Sequence, residues 1–168
     1  FLQALPLAKR HLYAADGSIY MHRWNVVGEF KLDAQGKDIL GTRSVASRVL
    51  SAVTGGRYHA IRLHCIVNAD RDRDLHNHPF DFDSLILAGW YFENVIDGFK
   101  INMEGYWNHG RAGTFHRIAV VPAGGVWTLF FMTKNSNDWG FLVGDEFVKS
   151  SAYFLQRRRE VRGMKGEA

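Results

Sequence analysis

His76 and His78 stand two residues apart in the string HNHPFDF. On an extended strand, residues i and i+2 point to the same side, so both imidazoles face one way, as a chelating pair must. Imidazole suits Zn, Fe, Ni and Cu, and two neutral rings need one or two further ligands from elsewhere in the fold. His116, in GTFHRI, is the third candidate. If its strand faces that of the pair across a sandwich, three imidazoles converge from one side and leave coordination positions open, as in a catalytic rather than a structural metal site. The other histidines, His11, His22, His59, His64 and His109, read as ordinary core or surface residues, with His109 in a loop before Gly110.

Further polar groups flank these three. Asp81 can accept backbone N–H bonds in a turn, or accept a proton bond from a ligand imidazole and so fix its ring; the second role is preferred here. On regular alternation Asp81 and Asp83 point away from the His76 and His78 face, so direct ligation by either requires a bulge. Arg111, ahead of His116, offers a planar fork for a substrate carboxylate or phosphate. Phe82 places an apolar wall beside the metal and keeps water out, and Glu93 is expected in solvent. Cys65, on an alternating strand, reads as a buried, inert thiol rather than a nucleophile. The chain shows neither a phosphate-cradling glycine loop nor a serine elbow.

The elements that must carry these residues are mostly short strands. Residues 57–67 place Ile61, Leu63, Cys65 and Val67 on one face by period-two alternation, the pattern of a half-buried strand. Residues 84–92, 113–121, 126–133 and 139–143 read the same way, rich in β-branched and aromatic residues and bounded by turn formers. Two helices are expected. Val45, Val49 and Val53 recur at helical spacing within 43–54, stopped by Gly55 and Gly56, and 152–165 forms a helix or tail. Many short strands with glycine-rich turns indicate an all-β sandwich or barrel with one or two short helices.

Composition supports one folded domain: 168 residues, 46% apolar and 14% aromatic, enough for a sizeable core. A single Cys excludes an intrachain disulfide, and no apolar run is long enough to span a membrane. With the first ten residues lacking the order of a signal peptide, the expected location is cytoplasmic. The net charge of +4 gathers largely in Arg157, Arg158, Arg159, Arg162 and Lys165. Without interleaved aromatics this run reads as a solvated helix face, and nucleic acid is not expected as a partner.

The spacing around the histidines resembles both motifs of the cupin superfamily. In the first, His76, His78 and Gly89 match while Phe82 replaces the usual Glu; in the second, Gly105, Gly113 and His116 match while Arg111 replaces the Pro and Val120 the Asn. Residues 90–104 between the motifs have a length common in that family. The resemblance implies a double-stranded β-helix, or jelly-roll, barrel. With the Glu lost, the site is similar to the thiol dioxygenase branch, where three imidazoles hold mononuclear iron. The string HNHPFDFDSLILAGWYFE, with the later WTLFF and WGF, also looks like bacterial and phage cupin-like proteins carrying an HxHPW-type motif.

One cupin-like domain over 1–168 is therefore expected: N-terminal strands and helix in 1–56, the cupin core in 57–148, and a C-terminal strand or helix with a basic tail in 149–168. The function expected first is a non-haem iron oxygenase acting on a small molecule, with His76, His78 and His116 holding Fe(II), Asp81 orienting a ligand and Arg111 binding substrate. Zn, Mn or Ni are the other metals the ligands suit. Two alternatives remain open: a non-redox cupin that binds a small ligand or serves as a structural or interaction module, and a Lewis-acid isomerase or hydrolase using Asp81, Asp83 or His109 as base. As cupins often pair through sheet edges, the resemblance also implies a homodimer.

Overall fold

Short apolar runs ended by glycine or polar turns become strands because each can bury one face only by pairing with others. The computed structural model describes residues 9–13, 17–32, 38–41, 44–134 and 136–164. In chain order these form β1 (Lys9–Tyr13), β2 (Ile19–Val27), β3 (Glu29–Leu32), β4 (Asp38–Gly41), α1 (Val45–Val53), β5 (Ala60–Ile66), β6 (Leu75–His76) and β7 (Phe82–Ala88). There follow β8 (Trp90–Val95), β9 (Gly98–Met103), β10 (Trp107–Gly110), β11 (His116–Val120), β12 (Val126–Met132), β13 (Gly140–Val143), β14 (Glu146–Lys149) and α2 (Ser150–Met164). Two six-stranded antiparallel sheets result, one ordered β1-β2-β5-β12-β7-β10 and the other β14-β13-β6-β11-β8-β9, with β3 and β4 as a separate pair. This is the jelly-roll arrangement expected from the sequence. β1 and β2, from the N-terminal segment, hydrogen-bond as a continuation of the sheet that contains β5.

The segment 84–92 reads as one strand in sequence but is two. The chain turns at Gly89, whose φ of +83° suits glycine, and β7 and β8 enter different sheets. A Cβ at Gly89 would approach the Gly125 carbonyl oxygen to 2.9 Å, so the corner also needs a bare backbone.

β5 departs from the half-buried expectation. Leu63 and Cys65 pack with Trp24, Val67 and Trp127 on one face. The opposite face, carrying Arg62, His64 and Ile66, is buried too and lines the interior. The polar side of this strand therefore faces a cavity rather than water. The main apolar cluster, Met21, Ile66, Ile86, Tyr91, Ile118 and Val126, draws on both sheets, and Met21, Ile66, Tyr91 and Ile118 of it line the cavity.

Both helices lie where the sequence places them. α1 is capped by Ser44, whose hydroxyl accepts from the Ser47 N–H, and it ends at Thr54 ahead of Gly55. Its stripe of Val45, Val49 and Val53 is exposed, however, while Ser47 is the buried residue. α2 docks through Tyr153, stacked on Phe141 with ring centroids 3.8 Å apart. Its Arg157 pairs with Glu160; Lys165 lies outside the described residues. Among the described residues no helix is long and apolar enough to cross a membrane.

Candidate metal centre

His76 and His116 are direct register partners across β6 and β11. The two strands are therefore neighbours in one sheet rather than facing strands of two sheets, and directly opposite residues of an antiparallel pair share a face. His78 follows two residues beyond His76 and turns to the same side. One nitrogen from each ring lies within 4.8 Å of the others. The ring centroids are 5.3 Å apart for His76 and His78, 4.7 Å for His76 and His116, and 4.9 Å for His78 and His116.

The tautomer of His116 follows from its surroundings. Its Nδ1 bonds the carboxylate of Glu93, which is only 2% exposed. Glu93 in turn accepts from Asn102 Nδ2 at 2.9 Å and from Asn108 Nδ2 at 3.0 Å. Burial alone would raise the Glu93 carboxyl, but its hydrogen bond and attraction to His116, then the Asn102 bond and the charge of Lys100, hold it below its ordinary value. An ionised Glu93 can only accept, so His116 Nδ1 carries a proton, and in the neutral form of that ring the lone pair lies on Nε2. That Nε2 is buried with no hydrogen-bond partner. A buried lone pair of this kind fits a metal ion.

Burial holds the other two rings neutral. Burial pushes His76 down to about 4, against the upward pull of Asp70, whose carboxylate lies 3.8 Å from His76 Nδ1. Burial, then the neighbouring His116 and His76, pushes His78 well below the ordinary imidazole value. Neutral imidazole is the ligating form. Asp70 is fixed by accepting the Ile118 N–H at 2.7 Å. Phe82, buried as expected, meets His78 edge-on at 5.4 Å and stacks on Phe130 at 4.8 Å. The three imidazoles and this wall open onto a cavity of about 680 Å³, a volume suited to a small molecule.

Several residues fall elsewhere than the sequence suggests. Asp81 does not orient an imidazole: its carboxylate accepts the Ala112 N–H at 2.6 Å and ties the loop before β11. Arg111 is exposed in that same loop and does not line the cavity. Asp83 points away from the metal face, as alternation predicts, and bonds Arg57, Tyr58 and His109. His109 belongs to β10 rather than a loop, as the cross-strand partner of Asp83.

Glu93 is the largest correction, since it is buried against a candidate ligand rather than solvated. Its alternation with Tyr91 in WYFENV is the one local signal that it shares an inward face. Its two amide donors arrive from β9 and β10, which sequence spacing does not reveal. Cys65 is buried, as expected.

No family model and no curated protein matches the chain. Among solved structures it is similar to the polyketide cyclase RemF from Streptomyces resistomycificus, with a TM-score of 0.50 and 9% identity over 90% of this chain and 88% of that one. It is also similar to a deletion mutant of Bacillus subtilis oxalate decarboxylase, with a TM-score of 0.50 and 11% identity over 97% of this chain. The match covers 35% of the decarboxylase, so the chain spans about a third of that protein. At such identities the likeness is one of fold.

Proposed function

The chain has a cupin fold, and on that fold we propose that His76, His78 and His116 hold one divalent metal for a non-haem iron oxygenase acting on a small molecule. The observation that carries this reading is the buried, unpartnered Nε2 of His116, with Glu93 on the opposite ring nitrogen and two further neutral imidazoles within 4.8 Å. Structural zinc closes its coordination with protein ligands, whereas three ligands beside a cavity are the pattern of a catalytic site.

Iron(II), when bound, supplies redox chemistry with dioxygen. It is favoured over Zn, Mn or Ni because Phe82 and Phe130 make the cavity wall beside the ligands apolar, and such a wall suits dioxygen and an apolar substrate portion better than a hydrated anion. Glu93 holds the Nδ1 proton of His116 and fixes that ring, and the aromatic pair keeps water from the ligands.

The Lewis-acid alternative needs a base in the cavity. The bases expected from sequence are placed elsewhere, with Asp83 and His109 bonding each other and Asp81 capping a loop, so the cavity-lining Asp70 or Asp72 would have to serve. A non-redox binding role remains the competitor, and metal analysis separates it from the oxygenase. Anaerobic loading should give one Fe(II) per chain, lost in His76→Ala, and the loaded protein should consume oxygen with a small thiol or acid. Tightly held zinc with no oxygen uptake on any substrate would overturn the oxygenase.

A further inference from the structure

The wall of the cavity formed by β1, β2 and β5 is cationic. Arg10 is the register partner of Arg23, Arg23 is the partner of His64, and Arg62 lies opposite Asn25 in the adjacent position. Alternation places Arg62 and His64 on one face of β5, and all four basic residues line the cavity. Arg62 is 5% exposed and His64 is 4% exposed. The His64 Nε2 is buried with no hydrogen-bond partner, and a buried polar atom without a partner is costly unless a ligand satisfies it.

Charge is distributed unevenly around this space. Among the described residues the carboxylates lining it are Asp70, Asp72 and Asp138, in the segments before β6 and before β13. Asp70 accepts the Ile118 N–H, and Asp138 pairs with Lys149 at 2.9 Å. Burial and then the charges of Arg23 and Arg62 push His64 well below the ordinary imidazole value, so its ring is neutral, with one proton to donate. From His64 an aromatic path leads toward the candidate metal: its ring is 4.9 Å from Phe130, Phe130 stacks on Phe82, and Phe82 meets His78.

We propose that the β1–β2–β5 wall is a carboxylate-binding subsite: the substrate is a small acid whose carboxylate is received by His64 Nε2–H and the Arg10, Arg23 and Arg62 guanidiniums, with its apolar body lying along Phe130 and Phe82. Guanidinium presents a planar fork of donors matched to carboxylate geometry, and charge-assisted hydrogen bonds in a dry site are the strong ones. The substrate-binding role expected of Arg111 thus falls to residues of the β1–β2–β5 wall. The inference rests on the metal reading only for the position of the reacting end, because anion recognition by this wall needs no metal.

Calorimetric titration of chelator-treated protein and of zinc-loaded protein with benzoate, 3-phenylpropionate, their amides and phenyl phosphate tests it. In both forms at least one acid should bind tenfold or more tightly than its amide and more tightly than phenyl phosphate. His64→Leu should lose about tenfold for the acid while leaving the amide unchanged, and His64→Gln, which keeps an N–H donor, should retain most of the affinity. Should His64→Leu fail to fold, the acid-to-amide ratio of the unaltered protein decides alone. Equal binding of acids and amides, preference for the phosphate, or no binding of either acid overturns the subsite. Acid preference without stoichiometric metal would instead overturn the metal reading and leave the subsite standing.

Discussion

Glu93 accepts the Nδ1 proton of His116 and so determines which nitrogen of that ring is left to a metal. Replacing it with Gln should lower metal affinity by about 10 to 100-fold, the usual effect of removing an outer carboxylate from a ligating histidine. Competition with a chromophoric chelator measures this, and an unchanged affinity would show that Glu93 does not orient the ligand. His64 gives a second prediction. Its folded-state pKa is depressed, so below about pH 6.5 the unfolded chain holds more protons at this ring and stability falls as pH drops. His64→Gln should reduce that slope by up to about 1.4 kcal/mol per pH unit, read from urea unfolding at a series of acidic pH values. His76 and His78 were legible as a pair because their common side follows from spacing along an extended segment, whereas His116 joins them only through the register of β11 on β6. Glu93 and His64 were not, because a charged or imidazole side chain on a strand reads as solvated until the partners across the sheet are known.

At the scale of elements, the close approach of β10 to β7 shapes the wall beside the candidate metal centre. A Cβ at Gly110 would fall 2.1 Å from Phe82 Cε1, so no side chain fits there unless the Phe82 ring moves. Gly110→Ala should cost about 1–3 kcal/mol, as overpacking does, and should weaken metal binding along with the displaced ring. Thermal unfolding and metal competition check the two effects, and a variant with normal stability would show that the ring relaxes freely. The strands themselves were largely readable from alternation and turn residues. Their faces were less so: β5 buries its polar side toward a cavity, and α1 exposes its valines. Periodicity reports that two faces differ without saying which one meets water.

Across the whole molecule, the C-terminal helix supports the site from behind. Tyr153, 1% exposed, stacks on Phe141, which is the register partner of His76 across β13 and β6. Tyr153→Ala should cost about 3–5 kcal/mol, in the range for truncating a buried aromatic, with a drop in metal affinity because Phe141 loses its stacked partner. Tyr153→Phe removes only the bond to Asp74 at 3.0 Å and should cost about 0.5–1.5 kcal/mol. Denaturant unfolding distinguishes the two, and equal losses would shift the effect from packing to the hydroxyl. By itself the sequence determined what depends on neighbouring bonds: most strand and helix segments, the common side of His76 and His78, and a buried Cys65. The tertiary structure alone decided which distant residues meet. Glu93 reaches His116, and Arg10 and Arg23 align with His64, because antiparallel register brings them together, and a slip of one residue would turn each to the other face.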